Sequence, residues 1–146
     1  MSFADETARE QYETLSFEAE LRHPPQKVWR ALTDPVLLAE WLLPVFGMKL
    51  EPGTSFTFQT EPVGGWDGKV QCRMLEVEEH RKLRYSWVVG DMDTTVTFEL
   101  EPTSSGTHLS VVHDGFKSHQ KQNFGGARYG WRMMGEKLVA LLEKDA

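Results

Sequence analysis

Cysteine is almost absent from this sequence, since Cys72 is the only one among 146 residues. One cysteine cannot close a disulfide within the chain, so the fold must depend on packing, as a reducing compartment would require. Long apolar runs are also missing, because no stretch approaches the roughly 18 residues that a membrane-spanning helix needs. The first residues are polar and acidic, whereas a signal peptide would be basic and then apolar. We therefore expect a cytoplasmic protein.

Positive charge is scarce as well. The chain has 16 Lys and Arg against 22 Asp and Glu, which gives a net charge of −6 at pH 7. Nucleic acids and anionic membranes attract proteins through a broad positive field, so neither is an expected partner. What the sequence has in excess is aromatic surface: five Trp, eight Phe and three Tyr are more than a small core needs.

The first part of the chain predicts one strand and two short helices after a polar N-terminal arm, residues 1–14. Apolar and polar residues alternate from Leu15 to Arg22, which predicts a half-buried strand. Apolar residues at helical spacing predict a helix over Gln26–Thr33. Asp34 is a good N-cap, and the proline after it suits a first helical turn, so a second helix is expected to begin there and to end by Pro44.

The middle of the chain predicts six antiparallel strands, the first a weak one over Phe46–Leu50. Apolar positions alternate there, and the turns between the strands are too short to join anything but antiparallel neighbours. A change of parity near Met74 predicts a β-bulge that bends a long strand.

The last segment predicts a long amphipathic helix. Apolar residues recur at spacings of three and four from Phe124 to Leu141. Three glycines weaken its first turns, so the helix is expected to begin as late as Ala127.

These elements describe one α+β domain over residues 15–144. Its architecture is a helix-grip fold: a curved antiparallel sheet of six to seven strands, two short helices, and a long C-terminal helix across the concave face. One helix rarely fills all the space over a bent sheet, so an apolar cavity is expected between the two.

Several ordered motifs support this architecture. They are Val28–Pro35 followed by Trp41, Pro52-Gly53 before a Phe-rich strand, Gly68–Val70, Leu75–Val77, Leu83–Trp87, Gly106–Leu109, His113–Phe116 and Gly130-Trp131. With them the chain, from about Leu15 to Leu142, resembles the Bet v 1-like or START-like helix-grip superfamily. Within that superfamily it is similar to the C-terminal domain of the activator of Hsp90 ATPase.

The resemblance implies a cavity that takes up lipids, sterols, polyketides or other apolar molecules, and some members of the superfamily are cyclases or hydro-lyases. The family name also implies a chaperone partner and a stress response. In the eukaryotic activator, however, most of the ATPase stimulation belongs to a separate N-terminal domain, to which nothing in this sequence corresponds. We therefore expect no such stimulation from this chain.

The candidate ligand-binding residues occupy inward or rim positions of the predicted elements. They are Trp41, Phe56, Phe58, Trp66, Met74, Tyr85, Trp87, His113, Phe124, Arg128, Trp131 and Met134. The alternative for each aromatic residue is a place in the filled core. His113, Tyr85 and Arg128 are the candidate polar anchors, and a charged imidazole at His113 would suit an anionic ligand.

No catalytic residue or metal site is predicted. His113 faces inward, but Asp114 points to the opposite face and cannot orient its ring, so a core histidine bonded to the backbone is the main alternative. Cys72 is expected to be buried and structural. The five histidines lack metal-ligand spacing, and no cofactor is expected.

The sequence thus predicts a protein that binds an apolar or aromatic small molecule. Two alternatives stay open: a cyclase or hydro-lyase that uses His113, and a chaperone-related interaction module. An inward carboxylate near His113 would favour the enzyme, and a filled core with an exposed apolar patch would favour the interaction module.

Overall fold

An eight-stranded antiparallel sheet forms the body of the protein in the computed structural model, which describes residues 2–144. In chain order the elements are β1 (Ala4–Asp5), β2 (Thr14–Leu21), α1 (Pro25–Thr33), α2 (Pro35–Trp41), β3 (Val45–Phe46), β4 (Ser55–Gln59), β5 (Lys69–Glu78), β6 (Lys82–Val89), β7 (Met92–Pro102), β8 (Thr107–Asp114) and α3 (Lys121–Lys144). The strands lie in the order β1-β2-β8-β7-β6-β5-β4-β3. The helix-grip architecture predicted from the sequence is therefore confirmed.

The strand count is higher than the six to seven predicted, because two edge strands have only two residues each. One of them, β3, covers Val45–Phe46, whereas the weak strand was expected over Phe46–Leu50. Gly47 has a φ of 80° and turns the chain away from the sheet at that point. Such a left-handed conformation is accessible to glycine at little cost.

The predicted bulge is confirmed, because the register of β5 against β6 shifts between Met74 and Glu76. The predicted start of the last helix is wrong: α3 begins at Lys121, six residues before Ala127. Phe124 is buried in its first turns and packs edge-on against Phe116, with ring centroids 5.3 Å apart. This tertiary contact outweighs the weak helix propensity of the glycines that follow.

The N-terminal segment is tied to the rest of the domain, although its sequence shows no apolar period. β1 pairs with β2, and Phe3 is only 6% exposed. Its ring stacks on Phe17 at 5.2 Å between centroids and fills the space above Gly135 of α3. A single buried aromatic residue makes this contact, so periodicity gives no sign of it.

The second half of α3 is held by the two short helices. Leu138, Val139 and Leu142 are buried on its inner face. Lys27 of α1 donates a hydrogen bond from Nζ to the backbone carbonyl of Leu142 at 2.7 Å. These contacts hold the second half of the helix, and the first half lies across the sheet.

Candidate functional site

A cavity of about 470 Å³ lies between the first half of α3 and the sheet. Its lining comes from β5, β6, β7, β8, α3 and the segments around residues 43 and 66. The lining residues are Leu43, Trp66, Val70, Trp87, Val89, Met92, His113, Asn123, Gly126, Ala127, Gly130, Trp131 and Met134. None of them is an Asp, Glu, Lys or Arg, so the site favours an uncharged, apolar occupant.

The space exists because α3 presents small residues to it. Gly126 and Gly130 lie one helical turn apart, with Ala127 beside them. A Cβ at Gly126 would meet no atom within 4 Å, and one at Gly130 would meet only Cε of Met134, at 3.8 Å. The missing side chain at Gly130 therefore leaves space within the cavity, and the exposed Gly126 leaves its edge open.

A chain of hydrogen bonds joins α3 to three strands beside the cavity. Trp131 donates from Nε1 to Nδ1 of His113 at 2.9 Å, and an indole can only donate, so Nδ1 carries no proton. The other ring nitrogen, Nε2, lies 2.7 Å from the hydroxyl of Thr94. That hydroxyl donates to the backbone carbonyl of Trp87 at 2.7 Å, so it accepts the proton that Nε2 carries. The ring is therefore a neutral imidazole with a defined tautomer.

Burial reinforces the neutral state of His113. The side chain is almost completely buried, and desolvation lowers its pKa to about 3. A second proton would also have to share Nδ1 with the indole N–H of Trp131. In the sequence, a charged imidazole at His113 is a candidate anchor for an anionic ligand. The structure instead has a neutral histidine that positions Trp131.

The partners of His113 differ from those expected. Its ring bonds to the side chains of Trp131 and Thr94 and not to the backbone. Thr94 orients the ring from the neighbouring strand β7, where the alternation along β8 could not reveal it. Inter-strand register and the position of α3 decide this contact, and neither can be read from the sequence of one strand.

The structure divides the twelve candidate residues into three groups. Five of them line the cavity: Trp66, Trp87, His113, Trp131 and Met134. Six others are no more than 3% exposed and fill the core: Trp41, Phe56, Phe58, Met74, Tyr85 and Phe124. Alternation identifies an inward residue but says nothing about what lies opposite it, which explains why the two groups were predicted together.

Arg128, the last candidate, lies outside the cavity lining. Its Nε is 2.6 Å from Oδ2 of Asp5, and Nη2 of Arg132 is also 2.6 Å from that oxygen. Burial alone would raise the carboxyl pKa of Asp5, but hydrogen bonds from the two arginines and Thr7 outweigh it and hold that pKa far below its usual range. Arg128 thus fastens α3 to β1, so it does not supply a polar anchor to the cavity.

Sequence reasoning missed the small residues of the lining. Gly126 and Gly130 were interpreted as residues that weaken a helix, and Gly130 also as part of a family motif. A signal was nevertheless present, because glycine costs up to about 1 kcal/mol relative to Ala inside a helix. Two glycines one turn apart beside an apolar face therefore indicate either a close contact or an empty space.

Other features of residues 2–144 carry less chemistry. Cys72 is buried, and desolvation raises the pKa of its thiol, which disfavours the reactive thiolate. Within this range no group of three or more His, Cys, Asp or Glu could hold a metal ion. A recess of about 600 Å³ on the other side of the sheet is lined mostly by polar groups, among them Glu18, Glu20 and His108. It lacks the apolar walls typical of a small-molecule site.

Among residues 2–144, none of the three helices is long and apolar enough to cross a membrane.

The fold and the cavity define a helix-grip protein, and sequence comparison identifies the family. Residues 22–143 match the family described as Activator of Hsp90 ATPase homolog 1-like protein, and the chain belongs to this family. No curated protein sequence matches it.

Solved structures show the same fold. Protein MLL2253 from Mesorhizobium loti is 37% identical, with a TM-score of 0.82 over 91% of this chain and 98% of that one. Protein NE0264 from Nitrosomonas europaea is 24% identical, with a TM-score of 0.76 over 96% and 100% of the two chains. CalU16 from Micromonospora echinospora is 23% identical, with a TM-score of 0.74 over 99% and 85%. The last two likenesses concern the fold alone.

Proposed function

We propose that this protein binds an apolar or aromatic small molecule in the cavity between the sheet and α3. The observation that carries the proposal is the uncharged space of about 470 Å³ bordered by Trp66, Trp87 and Trp131. Its volume lies in the lower half of the range typical of small-molecule sites, and its walls are mainly apolar and aromatic, as in such sites. A lipid, sterol or polyketide-like molecule has the matching chemistry.

The size of the ligand is constrained by the free energy of binding. Burial of about 500 Å² of apolar surface contributes about 12.5 kcal/mol at roughly 25 cal/mol per Å². Association costs at least about 4 kcal/mol, which leaves about 8.5 kcal/mol and a micromolar Kd. At about 300 Å² the same reasoning leaves only millimolar binding. A small hydrocarbon is therefore too small to be the natural ligand.

The two alternative functions have less support. A cyclase or hydro-lyase would need His113 as an acid or base, but both of its ring nitrogens are hydrogen-bonded to protein groups and no carboxylate lines the cavity. A chaperone-related module would be favoured by a filled core, whereas a cavity of about 470 Å³ lies under α3. We retain a cytoplasmic location within the proposal, because the single buried Cys72 does not require an oxidising compartment.

Titration with an uncharged fluorescent probe, N-phenyl-1-naphthylamine, tests the proposal. We expect one probe per chain, a micromolar Kd and a change in tryptophan emission, because three tryptophans border the site. The Kd should be the same at pH 5.5 and pH 8, since His113 stays neutral throughout that range.

A pair of variants localises the binding. Gly130→Leu places a side chain in the cavity and should weaken binding at least tenfold, whereas Gly125→Leu adds the same side chain at an exposed glycine outside the lining and should not. Circular dichroism of both variants checks that they fold. Absence of saturable probe binding by the wild-type protein, or equal affinity in Gly130→Leu, would contradict the proposal.

A further inference from the structure

Tyr85 combines complete burial with a hydroxyl that has no partner. Its ring lies among those of Phe56, Phe58 and Phe98, with centroids 5.1, 5.9 and 5.9 Å away. Within residues 2–144 only two buried side-chain nitrogen or oxygen atoms lack a hydrogen bond, Oη of Tyr85 and Nε2 of His23. Buried polar groups are nearly always hydrogen-bonded, so an unpartnered hydroxyl among aromatic rings calls for an explanation. A phenylalanine would fill the same space without that cost.

The position of Tyr85 relative to the cavity supplies an explanation for the unpartnered hydroxyl. Val70 on β5 and Trp87 on β6 line the cavity. The next inward residue on β6 is Tyr85, which pairs with Met74 of β5 and lies directly behind Trp87. Phe58 contacts both sides of the boundary, with its ring 5.4 Å from that of Trp87 and 5.9 Å from that of Tyr85. The ring of Tyr85 is thus separated from the cavity by the rings of Phe58 and Trp87.

We propose that the Tyr85 hydroxyl forms a hydrogen bond with the buried end of the ligand and selects molecules that carry a neutral oxygen there, a hydroxyl or a carbonyl. This inference rests on the proposed function, and it requires the ring of Phe58 or Trp87 to shift on binding. A site that holds an unpaired polar group discriminates strongly against an analogue that leaves it unpaired.

The chemistry of the neighbourhood restricts the oxygen to an uncharged one. Desolvation, with a smaller contribution from Cys72, raises the pKa of Tyr85 well above its usual value, so the hydroxyl keeps its proton and can donate or accept. None of the cavity residues could neutralise a carboxylate or an ammonium group. A charged group at the buried end would therefore remain unpaired, which is costly.

A matched pair of probes tests the selection. The compounds N-(4-hydroxyphenyl)-1-naphthylamine and N-(4-methylphenyl)-1-naphthylamine have nearly the same shape, and only the first carries a hydroxyl. We compare their Kd values for the wild-type protein and for Tyr85→Phe, using tryptophan fluorescence. The variant should lose five- to tenfold of the preference for the hydroxyl compound and keep its affinity for the methyl compound. The ratio between the two proteins cancels the difference in hydration of the free probes.

Control measurements separate the possible results. Tyr129→Phe removes a hydroxyl from a tyrosine that is 67% exposed on α3, and it should leave the preference unchanged. The free energy of unfolding of Tyr85→Phe without probe should equal or exceed that of the wild type, because an unpaired group is lost. An unchanged preference in Tyr85→Phe, as a buried water on the hydroxyl would give, overturns this inference and leaves the proposed function intact. If neither probe binds the wild-type protein, the proposed function fails, and this inference fails with it.

Discussion

The two halves of α3 use glycine in opposite ways. In the first half, Gly130 lines the cavity and the exposed Gly126 lies at its edge, and the space beside them stays open. In the second half, Gly135 faces the N-terminal segment, and a Cβ there would overlap the ring of Phe3. The same residue type therefore makes room for a ligand at one place and for a core side chain at the other. The difference lies in what the rest of the chain brings opposite the helix.

The comparison also explains how α3 can both stabilise the fold and cover the cavity. The second half buries Leu138, Val139 and Leu142 and is tied to α1 through Lys27. The first half is fixed at separate points: Phe124 packs on Phe116, Arg128 pairs with Asp5, and Trp131 is buried where the two halves meet. Between these points the small residues of the helix border the binding site.

The largest expected effect is at the junction between the halves. Trp131 is 1% exposed, and its ring lies 6.0 Å from those of Trp87 and Phe98. Trp131→Ala should lower the free energy of unfolding by about 3 to 5 kcal/mol, because it leaves a void and removes the donor to His113. Urea denaturation measures the loss. A loss below about 1 kcal/mol would mean that α3 is not packed as described.

A smaller loss is expected from filling the closed half. In Gly135→Ala the added methyl group overlaps the Phe3 ring, and overpacking of this kind costs about 1 to 3 kcal/mol. The gain in helix propensity offsets up to about 1 kcal/mol of that loss. We therefore expect a net destabilisation of about 1 to 2 kcal/mol in urea denaturation.

A second background shows whether Phe3 is the cause of that loss. Once Phe3→Ala has removed the ring, Gly135→Ala should be neutral or stabilising, because the two sites are in contact and their effects do not add. An equal loss in the wild-type and Phe3→Ala backgrounds would contradict the contact between Phe3 and Gly135 of α3.

The smallest effect is expected in the open half, and it has the opposite sign. Gly126→Ala adds a methyl group where no atom lies within 4 Å, so only helix propensity changes. The variant should be more stable than the wild type by about 0.5 to 1 kcal/mol. The midpoint of urea denaturation measures the gain. Destabilisation would show that a side chain at Gly126 meets a packed neighbour and that the space beside it is not open.

Sequence periodicity by itself determined the architecture of this protein. Alternation predicted a strand from Leu15 to Arg22, which the structure shows over Thr14–Leu21. The parity change predicted the bulge near Met74, and spacings of three and four predicted the C-terminal helix. Each of these signals is local, because a period of 2 or 3.6 records which side of an element is apolar. The ordered motifs pointed to the family for the same reason, since they record the same sequence of elements.

Only the tertiary structure decided where the core ends and the cavity begins. Tyr85 and Trp87 have the same parity on β6, yet one is enclosed by aromatic rings and the other borders an open space. Other contacts likewise join residues far apart in the chain: His113 forms hydrogen bonds with Thr94 and Trp131, and Phe3 packs against Gly135. Periodicity says which face of an element is buried. The volume left between two buried faces depends on which distant side chains meet there, and only the folded arrangement determines that.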